Sequence, residues 1–351
     1  MAIRLVRRPY GLLLVALVMA IIHAPAAYPK TVLWVGGTGG SLAKLLPANL
    51  FGTEADLLNG AFKDDSIITI DYPSALWPIT GLLDDTLGDS VSIGAERLQS
   101  AVKSSTEPLV VVGTSQGALV AQKVQAALND DPSVPSSTTF VLIADPNTGL
   151  TSKLPGVYLA GLDIVTAAIP ETRFNTIIVV NQYDLLGDEI KRPWNVVTQL
   201  NAVMALLYVH PTAHNADLSS VPAENITTTT NSQQGTTTIY HVPTTQLPLT
   251  MPLRQLGIAD AIVDGIDNRL RPIVDEGYLE PPQTTRVSAR SRAGLRTSTT
   301  NEQPTAAKTR HQGIAGPSHR QTLAKRAGQT ARLSQPDQAV SGPSPRLLRE
   351  R

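Results

Sequence analysis

Short β-branched apolar runs alternate with stretches of helical spacing along most of this chain. Thr31–Val35, Ser66–Ile70, Leu109–Val112, Thr139–Ala144 and Thr176–Val180 each read as a strand. Ser90–Ser104 carries apolar residues at 91, 95, 98 and 102, one face of a helix. An Ala-rich stretch after residue 115 predicts a second helix, running to about Leu128 and broken by Asp130-Asp131-Pro132. Pro193–Val209 predicts a third, ending at His210. Strands alternating with helices imply an α/β fold: a mostly parallel sheet with helices on both faces. Ligands in such sheets sit at the carboxyl ends of the strands. Two stretches break the pattern. Residues 147–172 are irregular and are expected to cover the site as a flap. Residues 217–239 are rich in Thr, Ser and Asn and are expected to form a surface loop. Within that stretch, Asn225-Ile226-Thr227 fits a glycosylation sequon and is read as a chance occurrence.

The chain ends change this picture. Arg4, Arg7 and Arg8 precede an apolar run from Gly11 to Ile22, and Ala24-Pro25-Ala26 follows as a small-residue cleavage site. Twelve apolar residues make about 18 Å of helix, short of the roughly 30 Å of a hydrocarbon core. Residues 1–27 therefore read as an export signal cut near Ala26 or Ala27, with an uncleaved membrane anchor as the rival. Residues 284–351 hold 13 basic and 3 acidic residues and no sustained apolar period. They are expected to form a disordered basic tail, able to touch anionic envelope components. The zero net charge of the chain thus conceals an acidic body, with 26 acidic and 12 basic residues between 31 and 283. There is no cysteine among the 351 residues, so disulfides and thiolate metal sites are excluded.

The chemistry enters at Gly113-Thr114-Ser115-Gln116-Gly117, a G-x-S-x-G that follows a strand and opens a helix. That is the context of a nucleophile elbow. The turn strains the serine backbone, and side chains at 113 and 117 would collide with neighbouring elements. A serine hydroxyl needs a base, and the base needs an orienting acid. His210 closes the third helix and follows the acidic candidates, so it is the expected base, ahead of His214 and His241. Asp184, just beyond the strand Thr176–Val180, is the preferred acid, with Asp188 as the alternative. Asp145 ends a strand but precedes Pro146 and reads as a structural turn residue. Oxyanion donors are expected from the backbone of Gln116 and from Thr38, by its N–H and its hydroxyl, within Gly36-Gly37-Thr38-Gly39-Gly40. That loop lacks the spacing of a phosphate cradle, and no metal-ligand cluster is present, so no cofactor is expected and no nucleic acid is expected as a partner.

The chain resembles the PE-PPE-domain serine hydrolases of mycobacteria and related actinobacteria, cutinase-like members of the α/β-hydrolase superfamily. The resemblance runs from about Val32 to Tyr278. It rests on Val35-Gly36-Gly37-Thr38-Gly39, the elbow, Ile143-Ala144-Asp145-Pro146-Asn147, Tyr183-Asp184 and Tyr208-Val209-His210. Leu247-Pro248-Leu249, Pro252-Leu253-Arg254 and Leu270-Arg271-Pro272-Ile273-Val274 continue it in the same order. It implies an α/β-hydrolase-like domain over 31–283 and ester or lipid hydrolysis at the cell envelope. It also implies a triad of Ser115, His210 and Asp184 or Asp188. Where the family shows Tyr-Asp-Gly and then Ala-Asp-Phe-Pro, this chain has Tyr183-Asp184-Leu185-Leu186-Gly187-Asp188-Glu189-Ile190, so the acid stays open. Some relatives are similar to acyltransferases that move fatty chains between trehalose glycolipids, the first alternative. An inactive envelope-binding protein on the same fold is the second.

Overall fold

The computed structural model describes residues 29–45, 53–105 and 109–281. The expected leader (1–27) and basic tail (284–351) lie outside the described residues. The elements follow in the order β1 Thr31–Val35, α1 Gly40–Ala43, β2 Ser66–Thr69, α2 Leu87–Ser104, β3 Leu109–Thr114, α3 Gln116–Ala127 and β4 Thr139–Ile143. Then come β5 Tyr158–Leu159, β6 Ile164–Val165, β7 Asn175–Asn181, α4 Val196–Tyr208, β8 Ile226–Thr230, β9 Thr236–Val242, α5 Met251–Gln255 and α6 Asp260–Glu276.

Seven strands form one sheet in the order β2-β1-β3-β4-β7-β9-β8. Every pair is parallel except β8 with β9. The fold is a mostly parallel α/β sheet covered on both faces. Strand alternation divides the core in two. Leu33, Val35, Val111, Leu142, Ile178 and Val180 face one side, where Val91, Ala95, Leu98 and Val102 of α2 and Val120, Ala121 and Val124 of α3 close over them. Those four α2 positions are the ones its spacing marked. Thr86 caps α2 by accepting the Asp89 N–H at 3.1 Å. Val32, Val110, Val112, Val141, Ile143, Ile177 and Val179 face the other side, against Leu57, Leu58, Phe62, Ala213 and Leu218. A third cluster joins Tyr183, Ala205 of α4, Leu247 and Val274 of α6 beside the acid loop.

The stretch 217–239 is not a surface loop. It holds β8 and most of β9, which pair in register from Ile226↔Tyr240 to Thr230↔Thr236. β9 also pairs in parallel with β7, and its Tyr240 and Thr238 are buried. Threonine is polar but β-branched, and here its shape outweighs its polarity. The flap region contains the β5–β6 hairpin, paired as Tyr158↔Val165 and Leu159↔Ile164. It is seated on the first turn of α2, where the Gly88 N–H donates to the Leu162 carbonyl at 3.0 Å. A Cβ at residue 88 would lie 1.7 Å from the Asp163 carbonyl oxygen, so only glycine permits this approach.

Candidate active site

β3 runs buried to Thr114, and the chain then reverses direction at Ser115 with φ 54° and ψ −115°. A serine at positive φ is strained, and the strain is held by neighbours. The Ser115 N–H donates to the Ile143 carbonyl at 2.8 Å, and the Ser115 carbonyl accepts the Ala118 N–H at 2.9 Å. The flanking glycines are required by space. A Cβ at Gly113 would lie 2.3 Å from the Gly117 carbonyl oxygen, and one at Gly117 would lie 2.1 Å from that of Val35. The elbow is thus wedged between β1 and the start of α3.

His210 follows α4 and opens a 3-10 turn, His210–Asn215. Its Nε2 lies 2.9 Å from Ser115 Oγ. Its Nδ1 lies 3.0 and 2.9 Å from Oδ1 and Oδ2 of Asp184. Ser115 is 7% exposed and Asp184 0%. Burial strengthens both contacts by excluding the water that would screen them. With the carboxylate ionised, Nδ1 carries the proton and Nε2 is left free to accept one from Oγ.

Asp184 sits in a turn with several restraints. Tyr183 takes φ 73°, the Asp184 N–H donates to the Asn181 carbonyl at 3.0 Å, and Asp184 Oδ1 accepts the Leu186 N–H at 3.1 Å. Asp188 holds this turn instead of meeting the imidazole. Its Oδ2 accepts the Tyr183 N–H at 2.8 Å, and its Oδ1 lies 3.2 Å from His241 Nε2. Tyr183 OH donates to Asp275 at 2.6 Å and accepts from Arg271 at 2.9 Å, which ties the turn to α6. Burial and the Asp275 carboxylate push the Tyr183 hydroxyl well above its usual range. Of the rival histidines, His241 pairs with Asp188. His214 is buried, with burial lowering its basicity and no partner on Nε2.

The glycine-rich loop after β1 lies beside the serine. A Cβ at Gly37 would be 3.3 Å from Ser115 Cβ. Tyr72 OH donates to the Gly36 carbonyl at 2.7 Å, and the Gly39 N–H donates to the Ser74 carbonyl at 2.8 Å. The Thr38 hydroxyl departs from expectation. It donates to Gln116 Oε1 at 2.9 Å and braces the loop against the elbow, leaving the Thr38 backbone N–H as its available donor. The Gln116 amide group in turn donates to the Ala75 carbonyl at 3.0 Å and Ser90 Oγ at 2.9 Å. The Gln116 N–H belongs to the first turn of α3, where backbone amides lack an intrahelical acceptor.

A cavity of about 640 Å³ opens at Ser115 and runs between α2, α3 and the hairpin. Its wall includes a polar network that motif reading did not anticipate. Asp145 is fully buried; it accepts from the Gln122 side-chain amide and, at 2.9 Å, from the Asn147 N–H. Asn147 Nδ2 donates to Gln122 Oε1 at 2.6 Å, and Thr151 Oγ1 donates to Asn147 Oδ1 at 3.0 Å. The turn role read for Asp145 is present, and the network adds an anchor from α3 to the flap. Burial pushes the Asp145 carboxyl up to about 7. Among the described residues, no three His, Asp or Glu side chains group to hold a metal.

A family model described as the PE-PPE domain matches residues 64–279. The chain belongs to the PE-PPE domain family. Among relatives from Mycobacterium tuberculosis, the SL1278 acyltransferase Chp1 is 39% identical over 61% of this chain and 54% of its own. The diacyltrehalose acyltransferase Chp2 is 37% identical over 60% of this chain and 64% of its own. The esterase PE16 is 32% identical over 59% of this chain and 41% of its own. This PE-PPE chain spans about half the length of the curated relatives it matches.

Proposed function

We propose that this PE-PPE chain is a serine enzyme that cleaves acyl esters through an acyl-enzyme. The observation that carries the reading is the continuous relay Ser115 Oγ, His210 Nε2, His210 Nδ1 and Asp184, with links of 2.9 to 3.0 Å. His210 takes the Ser115 proton as Oγ bonds to the ester carbonyl carbon. The carbonyl oxygen becomes an oxyanion, met by the backbone N–H groups of Gln116 and Thr38. Collapse breaks the bond to the alcohol oxygen, which receives the proton from His210. Water then attacks the acyl-serine by the same route, releasing the acid and restoring the serine.

A sugar hydroxyl in place of that water makes the same residues an acyltransferase. Kinship to two proteins named as acyltransferases, at 39% and 37% identity, favours this second reading. Relatives named for SL1278 and diacyltrehalose point to acyl glycolipids as the substrate class. An intact relay argues against an inactive binding protein. Export by the N-terminal segment is part of the proposal; a secreted chain beginning near residue 27 or 28 is its test.

A fluorophosphonate that labels the wild type but not Ser115→Ala supports the enzyme, and no labelling of either refutes it. Incubation with an acyl glycolipid then separates the outcomes: free acid for a hydrolase, a more highly acylated sugar for a transferase.

A further inference from the structure

The cavity beside Ser115 has the form of a gutter along one helix. Ser115, Leu119, Gln122 and Ala126 line it at intervals of four, three and four residues, a single stripe of α3. The facing bank is formed by α2 and by the hairpin, with Val91 and Leu162 among its residues. Part of its rim is open to solvent. Ile79, Leu150 and Val165 line the gutter and yet are 68%, 55% and 58% exposed.

Its apolar lining is aliphatic, with no Phe, Tyr or Trp. Its polar side chains are engaged with one another or with the backbone. Gln122 is tied to Asp145 and Asn147. Ser92 Oγ donates to the Gly88 carbonyl at 2.8 Å and accepts from Lys123 Nζ at 2.9 Å. Asp163 accepts from Tyr158 OH at 2.5 Å. Thr166 Oγ1 donates to the Leu154 carbonyl. Such walls offer little to a ring, a sugar or a peptide, each of which needs stacking or hydrogen bonds. They suit a flexible unbranched chain joined to the reacting carbonyl.

We infer that this gutter binds the acyl chain of the ester and sets a working length of about 12 to 14 carbons. The inference rests on the Ser115 reading proposed above and deepens it. From Ser115 to Ala126 the helix advances about 16 Å at 1.5 Å per residue. A zigzag of ~1.52 Å bonds advances about 1.25 Å per carbon, so about 12 to 14 carbons span that distance. Ala126 is itself exposed, so a longer chain emerges into solvent there and gains nothing more. Leu119, one turn from the serine, and Val165 on the hairpin are the specificity-determining residues.

The test is a series of p-nitrophenyl esters from four to eighteen carbons. For the wild type, kcat/KM is expected to rise up to about fourfold per methylene and to level off at about 12 to 14 carbons. Leu119→Trp blocks the gutter near its mouth and levels the profile below about eight carbons. Val165→Glu sits at an exposed position, so it tests the gutter even where the tryptophan variant fails to fold. It sets a carboxylate against the chain and lowers the dodecanoate-to-butyrate ratio at least tenfold. A wild-type profile that falls steadily from butyrate, or a Val165→Glu protein with an unchanged ratio and unfolding midpoint, overturns the inference. Calorimetric titration of Ser115→Ala with the same esters reads the gutter without chemistry. Affinity that rises with chain length in that protein keeps the gutter even if fluorophosphonate labelling fails; affinity indifferent to length removes it even if labelling succeeds.

Discussion

Replacing Asp184 by Asn tests which carboxylate serves His210. Asp184 is fully buried, with both oxygens within 3.0 Å of Nδ1. When His210 holds the serine proton, the imidazolium and this carboxylate attract by about 4 kcal/mol, taking a separation of 4 Å and an effective dielectric constant near 20. That alone is about a thousandfold in rate. Asn adds a second loss. Its amide can place an N–H against Nδ1, which favours the tautomer with the proton on Nε2. The proton acceptor facing Ser115 is then gone, and a total loss of about 10⁴ in kcat is expected. Asp188→Asn removes only a brace: the carboxylate that accepts the Tyr183 N–H and pairs with a half-exposed His241. A loss below about tenfold is expected, since Asn keeps an oxygen for the Tyr183 N–H and only the His241 end of the pair is partly open to water. The assay is kcat and KM on a soluble ester, with the fluorophosphonate labelling rate and the unfolding midpoint measured in parallel. A large loss for Asp188→Asn at an unchanged midpoint, with a small loss for Asp184→Asn, refutes the assignment.

Three further outcomes are expected from the same structure. Gly117→Ala sets a methyl 2.1 Å from the Val35 carbonyl oxygen and should lower stability by at least about 2 kcal/mol, whereas Gly265→Ala, within α6 and in open space, should raise it by about 0.5–1 kcal/mol; urea unfolding of both variants checks the pair. The Asp145 carboxyl, at about 7 when folded against about 3.9 unfolded, keeps its proton longer in the native state. Its contribution to stability is therefore full below pH 4 and is lost as pH rises to about 7, by up to about 1.4 kcal/mol per pH unit. Asp145→Asn should flatten that slope, and parallel stability curves for the two proteins between pH 4 and 8 would count against it. Thr38→Val removes the hydroxyl that braces Gln116 but keeps the backbone N–H, so a loss of about tenfold or less in kcat is expected, against the hundredfold or more typical of a deleted oxyanion donor.

Much of this site was legible in the chain because its signals are local. A β-branched run, two glycines around a serine and an Ala-rich stretch suffice to write strand, elbow and helix, since steric limits at 113, 115 and 117 act within a few residues. Helical spacing likewise marked the buried face of α2 and ended α4 just before His210. The Thr-rich stretch 217–239 misled because composition reports polarity, while pairing with β7 decided that Thr238 and Tyr240 are buried.

Residue order supplied a candidate nucleophile, a candidate base and two candidate acids, each at the end of an element. Choosing between Asp184 and Asp188 required the fold. They are four residues apart on one turn, and the positive φ of Tyr183 aims one at the imidazole and the other back at the chain. The gutter was equally invisible in sequence. Its stripe on α3 reads as ordinary helix until α2, from earlier in the chain, and the hairpin, about 30 residues further on, arrive to face it. Local sterics act along the chain and can be read there; a cavity exists only between segments that folding brings together.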